Sequence, residues 1–383
     1  MRVLIDGCMA RGGGGHTYLV NVIPRLVRAA PRDQFRLLVR SPRVAEALPA
    51  LPNLQVDLLP PVGFLDRLRF VHGELPRLAA EWGADVFFSA GETAPIWAPC
   101  PKIAAFRNPN VFTELDQGWS KQQTLRLTTL RALARVSAWT CQKIMFVSED
   151  SARWVGDRLR LPEERRAVVH HGIDAEAWSA PAERTLHPWP YILSVSSIYR
   201  YKNFVKLIEG YTELARSLSD VPDLVIIGDD QDPEYAVRMR EARDAAGDVA
   251  EHIHLLGEVP YADIRDWYAG AELFVFPSYL ETFGHPLLEA MASRLPVVAA
   301  DIPVFREIAG DAALYADPHD ASSLAGAMRA ALSSPELRRL LVKRGLDQVR
   351  AFSWDRSAHR LLQLFREVLP ERVRVAAPSK VAA

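Results

Sequence analysis

The chain has 383 residues, 49% hydrophobic and 24% charged, which favours two globular domains and excludes a disordered, collagen-like or low-complexity protein. Its formal net charge of −1 argues against a nucleic-acid-binding protein and against a strongly cationic membrane protein. The two halves nevertheless differ, with 23 Lys and Arg against 17 Asp and Glu in residues 1–175 and 23 against 30 in residues 176–383, which indicates domains with different partners.

Short runs rich in Val, Ile, Leu and Phe recur between longer helical patterns, which is typical of βαβ units around a parallel sheet. In the first half the predicted strands are Val3–Asp6, Phe35–Val39, Leu54–Leu59, Asp85–Ser89, Ile103–Phe106, Ile144–Ser148 and Val168–His171. In the second half they are Tyr191–Ser196, Leu224–Gly228, Ile253–Leu256, Leu273–Pro277, Val297–Ala300 and Ala313–Ala316. The expected fold class is α/β, with two facing Rossmann-like domains that bind ligands outside the carboxyl ends of their strands.

Between the two series, the segment Ala175–Pro190 has three prolines and no period, so it is predicted to be a linker. The predicted domains are residues 1–175 and 188–352. An amphipathic helix is expected over residues 353–369, opened by Ser353 and ended by Pro370, and residues 370–383 are expected to form a disordered tail.

The three cysteines, Cys8, Cys100 and Cys141, are too widely spaced for a disulfide framework, and there is no CxxC pair. A cytoplasmic location is therefore expected. The N-terminal residues resemble a first strand more than a signal peptide, and no run approaches the 18 or so apolar residues of a membrane span.

A glycine-rich segment, residues 11–16 (RGGGGH), follows the first predicted strand and precedes a helix that is expected to begin near Thr17. Glycines at a strand-to-helix turn let backbone N–H groups approach an anion, and the helix N-terminus adds partial positive charge. The segment fits neither the GxGxxG pattern nor the Walker A pattern. A phosphate-binding turn and a flexible loop both remain open for it.

The most informative segment is Ser278–Asp301, SYLETFGHPLLEAMASRLPVVAAD, between two predicted strands. Pro286 suits the first turn of the intervening helix, which would present free N–H groups to a phosphate. Glu289 lies about one turn into the helix, where its carboxylate can accept hydrogen bonds from vicinal hydroxyls, and Glu281 precedes the helix. By spacing alone, two glutamates eight residues apart also fit a solvated helix face.

Two further segments of the second half carry charge beside predicted strand ends. Arg200 and Lys202 follow the strand that ends near Ser196, a position that suits a diphosphate, although a solvent-facing pair at a helix start is an equal alternative. Asp230-Gln231-Asp232 is the chain's one Asp-x-Asp; we interpret it as a solvated loop, with a metal role as the alternative.

Residues 119–140, WSKQQTLRLTTLRALARVSAWT, contain no acidic residue and place Lys121, Arg126, Arg131 and Arg135 among leucines at helical spacing. Such a helix can lie on anionic lipid, with Leu65–Phe70 adding to the basic patch. An ordinary helix with a solvated basic face that packs on the sheet is the alternative. Under the first interpretation the domain is peripheral to the membrane and the acceptor is lipid-linked.

An ordered set of these segments resembles the retaining GT-B glycosyltransferases over nearly the whole chain, and most specifically glycosyltransferase family 4 of the bacterial surface-polysaccharide type. The segments are GGGGH at 12–16, VSEDS at 147–151, HHGID at 170–174, SVSSIYRYKN at 194–203, VIIGD at 225–229, HLLGEV at 254–259 and PSYLETFGHPLLEAMASRLPVVAAD at 277–301. The resemblance is strongest in the second half, where Glu281 and Glu289 stand in an E-x-F-G-x-P-x-L-E-A-M-A setting.

The resemblance implies transfer of a hexosyl group, mannosyl among them, from a nucleotide-diphosphate sugar to a glycan or lipid-linked acceptor, with retention of configuration and without a metal or other cofactor. The first domain would be the acceptor side, the second would bind the nucleotide sugar, and the C-terminal helix would pack back toward the first domain. Catalytic roles fall on Glu281, which would face the donor sugar, and on Lys202 and Arg200, which would neutralise the leaving diphosphate. Donor-binding roles fall on Gly14, Gly15, Arg107, Asn108, Ser196, Gly228, Val259, Phe283, Gly284, His285 and Glu289.

The sequence departs from the family pattern at four places. Tyr201 stands where the pattern has the arginine before the lysine, and Arg200 lies one residue earlier. Arg107-Asn108 replaces the His-Asp pair after the fifth strand, so a histidine contact to the donor sugar is not supported there. His171 and His285 stand at positions usually held by asparagine and an apolar residue, and neither has a partner at metal-ligand spacing in the sequence.

The resemblance and the lack of an obvious nucleophile favour a front-face departure in which the leaving phosphate helps to deprotonate the acceptor hydroxyl. Covalent catalysis by Glu281 is the alternative mechanism. Two other functions remain open: a catalytically idle nucleotide-sugar-binding or scaffold protein, and a GT-B phosphorylase or epimerase.

Overall fold

The computed structural model describes residues 1–10, 13–112, 121–218 and 220–370. Arg11 and Gly12 of the glycine-rich segment, residues 119–120 of the basic segment and the predicted tail beyond Pro370 lie outside the described residues, as does the side chain of Lys121. The chain divides into two units: a first unit of Met1–Gly172 with the segment that starts at Trp354, and a second unit of Ile173–Ser353.

The first unit is built on a parallel sheet in the order β3-β2-β1-β4-β5-β6-β7. Its strands are β1 (Arg2–Asp6), β2 (Gln34–Val39), β3 (Leu54–Leu58), β4 (Val86–Ser89), β5 (Lys102–Phe106), β6 (Lys143–Phe146) and β7 (Arg166–Val168). Its connecting helices are α1 (Gly13–Ala29), α2 (Pro42–Ala47), α3 (Phe64–Arg69), α4 (Leu75–Trp82), α5 (Lys121–Thr140) and α6 (Glu149–Arg158). All four residues of β4 and all five of β5 are buried, as expected for strands with helices on both faces.

Two local predictions in this unit are wrong. Helix α1 begins at Gly13 and not near Thr17, so Gly14, Gly15 and His16 form its first turn instead of a loop. The last strand of the sheet covers Arg166–Val168 and ends where the predicted strand Val168–His171 was to begin. His171 is instead a buried side chain that packs edge-on against Tyr18, at 5.2 Å between ring centroids.

The C-terminal helix, α15 (Trp354–Val368), packs against α1 within the first unit. Phe365 contacts Phe88 of β4 at 5.4 Å between ring centroids, and the Ser357 hydroxyl donates to the carbonyl oxygen of His170 at 2.5 Å. The apolar residues of this helix recur at helical spacing and therefore form one face, as the sequence predicted. That face is buried against the first unit.

The second unit is a parallel sheet in the order β10-β9-β8-β11-β12-β13. Its strands are β8 (Tyr191–Val195), β9 (Asp223–Ile227), β10 (Ile253–Gly257), β11 (Leu273–Phe276), β12 (Val297–Ala300) and β13 (Ala313–Ala316). Its helices are α7 (Ala175–Trp178), α8 (Phe204–Ala215), α9 (Pro233–Asp244), α10 (Ile264–Gly270), α11 (His285–Ala292), α12 (Pro303–Ala309), α13 (Ala321–Ser333) and α14 (Pro335–Val349). Helix α8 illustrates the packing, since Phe204, Leu207, Ile208 and Tyr211 form a fully buried stripe at helical spacing. The structure therefore confirms the prediction of two Rossmann-like parallel sheets.

The stretch predicted to be a linker belongs to the second unit. It contains helix α7, and the guanidinium of Arg184 forms ion pairs with Asp263 at 2.5 Å and with Asp266 at 3.2 Å. The prolines interrupt secondary structure in this segment. The ion pairs of Arg184 nevertheless hold the segment against α10.

Candidate functional site

Strand order places one crevice at the carboxyl edge of each sheet. In the second unit, β8 and β11 are neighbours, whereas the strands that follow each of them in sequence lie on opposite sides. The loops after β8 and β11 therefore diverge at a topological switch point, which is where open α/β sheets bind ligands. Residues 196–203 and 277–284 form these two loops. They contain the residues predicted to be catalytic, Arg200, Lys202 and Glu281, together with Ser196, Phe283 and Gly284.

An ion pair between Lys202 and Glu281 joins the two loops. Lys202 Nζ contacts Glu281 Oε1, and both side chains are largely buried. The hydroxyl oxygen of Ser278 lies 3.2 Å from the same carboxylate oxygen and 3.1 Å from the carbonyl oxygen of Tyr201. The ammonium group also lies 5.3 Å from the ring centroid of Phe276, within cation–π distance. The structure thus brings together a cation and a carboxylate that the sequence placed 79 residues apart.

The loop that carries Lys202 is held by its neighbour Asn203. Asn203 has φ of +65°, a left-handed conformation that asparagine adopts more readily than most residues. Its side-chain amide donates to the carbonyl oxygens of Pro277, at 3.1 Å, and Pro318, at 2.6 Å. These bonds fix the turn before α8, so that Lys202 points to the loop after β11.

Arg200 is engaged differently from Lys202. Its guanidinium contacts both carboxylate oxygens of Asp232, at 2.8 and 3.2 Å, and Asp232 also accepts a hydrogen bond from the backbone N–H of Tyr235 at the start of α9. The interpretation of Asp230-Gln231-Asp232 as a solvated loop is therefore wrong for Asp232, which is buried. Arg200 ties the loop after β8 to α9, a positioning contact that the spacing of the motif does not reveal.

Glu289 lies one turn into α11 and has two side-chain partners. Its Oε2 accepts a hydrogen bond from the hydroxyl of Tyr268 at 3.0 Å, and its Oε1 lies 3.1 Å from Nδ1 of His285. Burial, followed by the negative charge of Glu289, raises the pKa of Tyr268 well above its usual value, so the hydroxyl remains a donor. The i,i+4 spacing could have revealed the histidine contact. No sequence signal pointed to Tyr268, which lies 21 residues upstream.

Close packing at this edge of the sheet requires glycine at two positions, Gly228 and Gly284. A Cβ on Gly228 would lie 1.8 Å from the carbonyl oxygen of Ser196, because the ends of β8 and β9 converge there. Gly284 has φ of +86°, and a Cβ on it would lie 2.7 Å from the ring of Phe305. At both positions the absence of a side chain lets the backbone pack closely against the neighbouring group.

Three further residues that the resemblance predicts to bind the donor, Phe283, Val259 and Ser196, lie at the same edge. Phe283 is buried, with its ring 5.9 Å from that of Phe352, so only its backbone can face a ligand. Val259 follows β10 and is half-buried. Ser196 follows β8, and its N–H donates to the carbonyl oxygen of Ile227 at 2.9 Å.

The corresponding edge of the first unit lies between β1 and β4. Gly14 is exposed in the first turn of α1, with open space where a Cβ would lie, whereas Gly15 packs against Ala10. The guanidinium of Arg107 lies 4.5 Å from the ring centroid of the buried Tyr18 and donates to the carbonyl oxygen of Ala90 at 2.6 Å.

Glu92, which the sequence analysis did not single out, organises the Arg-Asn pair. Its Oε1 accepts hydrogen bonds from the backbone N–H groups of Arg107, at 3.1 Å, and Asn108, at 2.9 Å. The side chain of Asn108 caps the following turn by accepting from the N–H of Asn110 at 3.0 Å. Its amide oxygen is thus partly used within the loop.

Asp6, the last residue of β1, is a second residue that the sequence analysis passed over. It is buried, and its Oδ1 accepts from the backbone N–H of Cys8 at 3.0 Å. Burial raises the pKa of Asp6, although the hydrogen bonds from Cys8 and the charges of Arg67 and Arg40 act in the opposite direction. The sequence alone does not identify Asp6 as a candidate site residue, because it stands there only as the last residue of an apolar strand.

Comparison with known proteins covers most of the chain. Residues 182–348 match the family model described as glycosyl transferases group 1, and residues 12–177 match the one described as glycosyltransferase family 4. O-antigen chain mannosyltransferase B of Escherichia coli is 37% identical over 114 residues, 30% of this chain and 30% of that protein. Phosphatidyl-myo-inositol mannosyltransferase of Mycolicibacterium smegmatis is 29% identical over 375 residues, 95% of this chain and 92% of that protein.

The chain thus spans less than a third of the Escherichia coli relative but nearly all of the mycobacterial one. Among solved structures, Anabaena HepE in complex with UDP-glucose has a TM-score of 0.74 at 14% identity, covering 96% of this chain and 100% of that one. At 14% sequence identity, this similarity is evidence for the fold alone.

Two Rossmann-like units with parallel sheets form the GT-B fold, and the class of protein, a glycosyltransferase, follows from the two family matches. The two family matches cover both units and agree with the motifs quoted above. The chain belongs to the family 4 type within that class, as the sequence motifs predicted. In the part of the chain that the structure describes, no helix has both the length and the apolarity needed to cross a membrane.

Proposed function

We propose that the protein transfers a hexosyl group, with mannosyl as the first candidate, from a nucleotide-diphosphate sugar to a hydroxyl of a glycan or lipid-linked acceptor, with retention of anomeric configuration. The observation that carries the proposal is the Lys202–Glu281 ion pair at the switch point of the second sheet, next to the N-terminus of α11. A buried cation and carboxylate on diverging loops provide charges of both signs where a sugar diphosphate would bind.

Each donor-side residue has a distinct role in this proposal. Lys202 stabilises the negative charge that develops on the leaving diphosphate, and the N–H groups of residues 283–285 add donors at the helix entrance. Glu289 accepts hydrogen bonds from ribose hydroxyls, in an orientation set by Tyr268 and His285. Glu281 faces the donor sugar and stabilises positive charge at its anomeric carbon.

The proposed reaction takes place on one face of the sugar. The bond from the anomeric carbon to the diphosphate oxygen breaks, the bond to the acceptor oxygen forms, and the acceptor proton moves to the leaving diphosphate. Covalent attack by Glu281 is less favoured, because its Oε1 already contacts Lys202 and lies 3.2 Å from the Ser278 hydroxyl. The anomeric coupling of the product, measured by NMR, tests retention, and an inverted product would overturn it.

The proposal assigns the charge stabilisation to Lys202 and to backbone N–H groups, and it requires no metal for the chemical step. Initial rates should be unchanged in EDTA at temperatures well below the melting temperature (Tm). A rate that falls in EDTA and returns with Mg²⁺ or Mn²⁺ would overturn this part of the proposal.

The sugar and the base are tested together by thermal shift. We expect GDP-mannose to raise Tm more than UDP, ADP and dTDP sugars, since relatives aligned over 30% and 95% of this chain are named as mannosyltransferases. Slow hydrolysis of the bound donor without acceptor then separates an enzyme from a catalytically idle binding or scaffold protein. Binding without any hydrolysis or transfer would favour the idle protein.

Membrane contact is a further part of the proposal, and helix α5 is the surface that supports it. Leu125 and Trp139 are 70% and 77% exposed, and they lie on one face with Val136. Arg126 and Arg135 are also exposed. Because an α-helix turns by about 100° per residue, they lie on opposite sides of the apolar face. Arg131, by contrast, is half-buried and its Nε donates to the carbonyl oxygen of Val111 at 2.9 Å, so it contributes less to this surface than the two exposed arginines.

An exposed apolar face flanked by arginines suits the inner face of a cell membrane, where anionic lipid attracts the cations. Co-sedimentation with liposomes should increase with the fraction of anionic lipid and fall when Leu125 and Trp139 are both replaced by Ser. Co-sedimentation that does not depend on anionic lipid would remove membrane contact from the proposal without affecting the sugar transfer.

A further inference from the structure

A cluster of histidines surrounds one aspartate at the amino edge of the second sheet. Asp223 is the first residue of β9, His254 is the second residue of β10, and His187 lies in the segment before β8. The site proposed above begins after the other end of these strands. Asp223 is five residues from Gly228 along an extended strand, which corresponds to roughly 16 Å.

The ligand atoms in this cluster converge on one point. His187 Nε2 and His254 Nε2 lie 2.8 and 2.9 Å from the same oxygen, Oδ2 of Asp223. The three atoms are all within 4.8 Å of one another, and the two imidazole rings are 4.9 Å apart between centroids, with an angle of 64° between their planes. Two nitrogens and a carboxylate oxygen therefore form a triangle with non-parallel rings.

A third histidine fixes the carboxylate. His252 Nδ1 lies 2.9 Å from Oδ1, the other oxygen of Asp223, and the carboxylate is buried with a 9% exposed side chain. Outer partners of this kind orient a metal-binding carboxylate and leave its other oxygen directed to the ion. His187 and His254 are 12% and 32% exposed, so the triangle is accessible from one side.

We propose that His187, Asp223 and His254 bind a divalent transition-metal ion, with Zn²⁺ as the best match. Two imidazoles and one carboxylate oxygen are a ligand set for Zn²⁺ and its neighbours, whereas Mg²⁺ and Ca²⁺ prefer oxygen ligands throughout. Tetrahedral Zn²⁺ with bonds of about 2.0–2.1 Å places its ligands about 3.3 Å apart. Each histidine nitrogen would move away from Asp223 Oδ2 by about 0.5 Å, and the two nitrogens, now within 4.8 Å of each other, would settle at the same separation of about 3.3 Å. Water completes the coordination.

The consequence of binding is structural. His187 belongs to the segment before β8, whereas the other two ligands lie on β9 and β10, so the ion would cross-link this segment to the sheet. The backbone already joins them there, since the N–H of Asp223 donates to the carbonyl oxygen of Pro190 at 2.9 Å. This site is independent of the proposed sugar transfer, which involves the opposite edge of the sheet.

The test uses the full chain after treatment with EDTA and buffer exchange. We expect about one Zn²⁺ per chain by competition with a chromophoric chelator, an increase in Tm with Zn²⁺, and no effect of Mg²⁺ on Tm. Co²⁺ should give the visible absorption spectrum of a tetrahedral nitrogen–oxygen site. These measurements do not depend on enzyme activity, so they can fail without affecting the proposed function.

Three variants locate the site. His187→Gln and His254→Gln, which retain a hydrogen-bond donor for Asp223, should each weaken Zn²⁺ binding by about 100-fold, and His252→Gln should weaken it by about tenfold. His359→Gln, an exposed histidine on α15, is the matched control and should bind Zn²⁺ as the unaltered chain does. The proposal is overturned if the chain binds no Zn²⁺, or if the His187 and His254 variants bind it as tightly as the control.

Discussion

Lys202 and Glu281 pair their side chains across the switch point of the second sheet, with only 11% and 10% of each exposed. Each charge therefore depends on the other for its solvation, because water cannot replace the missing partner. The pair has two separable consequences, one for stability and one for catalysis, and this separation makes the proposed role of Lys202 testable.

Replacing Lys202 by Met should lower both stability and turnover. The Glu281 carboxylate would remain buried without its cation, which costs on the order of 3–5 kcal/mol in comparable buried pairs. The leaving diphosphate would lose its fixed positive charge, which should reduce kcat by about 100-fold or more. Thermal unfolding and steady-state transfer rates, measured on the same preparation, check both effects.

The double variant Lys202→Met/Glu281→Gln distinguishes the two effects, because it removes both buried charges. Its Tm should return toward that of the unaltered chain, while its turnover should be at least as low as that of the single variant, because Glu281 also contributes to the proposed reaction. Lys206→Met, at a lysine that pairs with Glu209 on the surface of α8, is the control and should change neither. Recovery of turnover in the double variant would contradict a catalytic role for Lys202.

Arg200 should behave as a positioning residue. Because its guanidinium is bound by Asp232, replacing either partner by Ala should loosen the loop before Lys202 and lower kcat/KM by about tenfold. The double variant should have the same kcat/KM as either single variant, since each single variant already removes the Arg200–Asp232 contact. Asp232→Ala should also lower Tm, because Asp232 caps α9 by accepting a hydrogen bond from the N–H of Tyr235.

Arg240→Ala is the control for this series, because Arg240 is half-exposed and lies 3.9 Å from Asp230. Melting temperatures and kcat/KM should be measured for the whole cycle. If Arg200→Ala reduced kcat as much as Lys202→Met with no change in Tm, direct catalysis by Arg200 would replace the positioning role.

Removing the Tyr268 hydroxyl should weaken nucleotide binding. In Tyr268→Phe, Glu289 Oε2 loses a donor worth roughly 1–2 kcal/mol, so the carboxylate is less well oriented toward the ribose. Affinity for the nucleoside diphosphate, measured by calorimetry, should fall by about tenfold, and Glu289→Gln should have a larger effect. Tyr211→Phe removes a buried hydroxyl bonded to the Pro222 carbonyl and should leave this affinity unchanged.

Alanine at Gly228 should destabilise the second unit. The added Cβ would lie 1.8 Å from the Ser196 carbonyl oxygen, so the ends of β8 and β9 would have to separate. A fall in Tm and a loss of nucleotide binding are expected together. Gly326→Ala provides the contrast, because this glycine lies within α13 with open space at its Cβ, and the change should be neutral or stabilising by roughly 0.5–1 kcal/mol. Equal Tm values for the two variants would refute the steric argument.

Asn in place of Asp6 should stabilise the chain increasingly as pH rises. Burial raises the folded-state pKa of Asp6, so its contribution to stability is fully present below the unfolded-state pKa of about 3.9 and is lost as pH rises through the folded-state pKa. Asn is neutral at every pH and can still accept the hydrogen bond from Cys8. The Tm of Asp6→Asn minus that of the unaltered chain should therefore be larger at pH 8 than at pH 4.

Asp66→Asn, at an exposed aspartate of α3, is the control for Asp6 and should show little change in Tm at either pH. A Tm difference for Asp6→Asn that is the same at pH 4 and pH 8 would mean that burial does not raise the pKa of Asp6.

The sequence by itself determined the fold class and the family. Apolar runs of four to six residues and amphipathic helices are local patterns, so they located the strands of both sheets and the helix that became α15. Glu281 and Glu289 were recognisable because they lie within one loop-and-helix segment whose spacing is itself the signal. Local patterns failed at the ends of elements, as at Gly13 and Val168, because tertiary contacts decide where a helix or strand begins and ends.

Only the tertiary structure decided which side chains meet. Lys202 contacts Glu281 and Arg200 contacts Asp232 because strand order brings particular strand ends together, and strand order is not encoded in any local spacing. Tyr268 of α10 likewise contacts Glu289 of α11 only because the fold brings these two helices together. The same holds for the cluster around Asp223, in which His187 precedes β8, Asp223 begins β9, and His252 and His254 lie at the start of β10. Burial then sets the energetic weight of each contact, since a charge removed from water depends on the partner that the fold supplies.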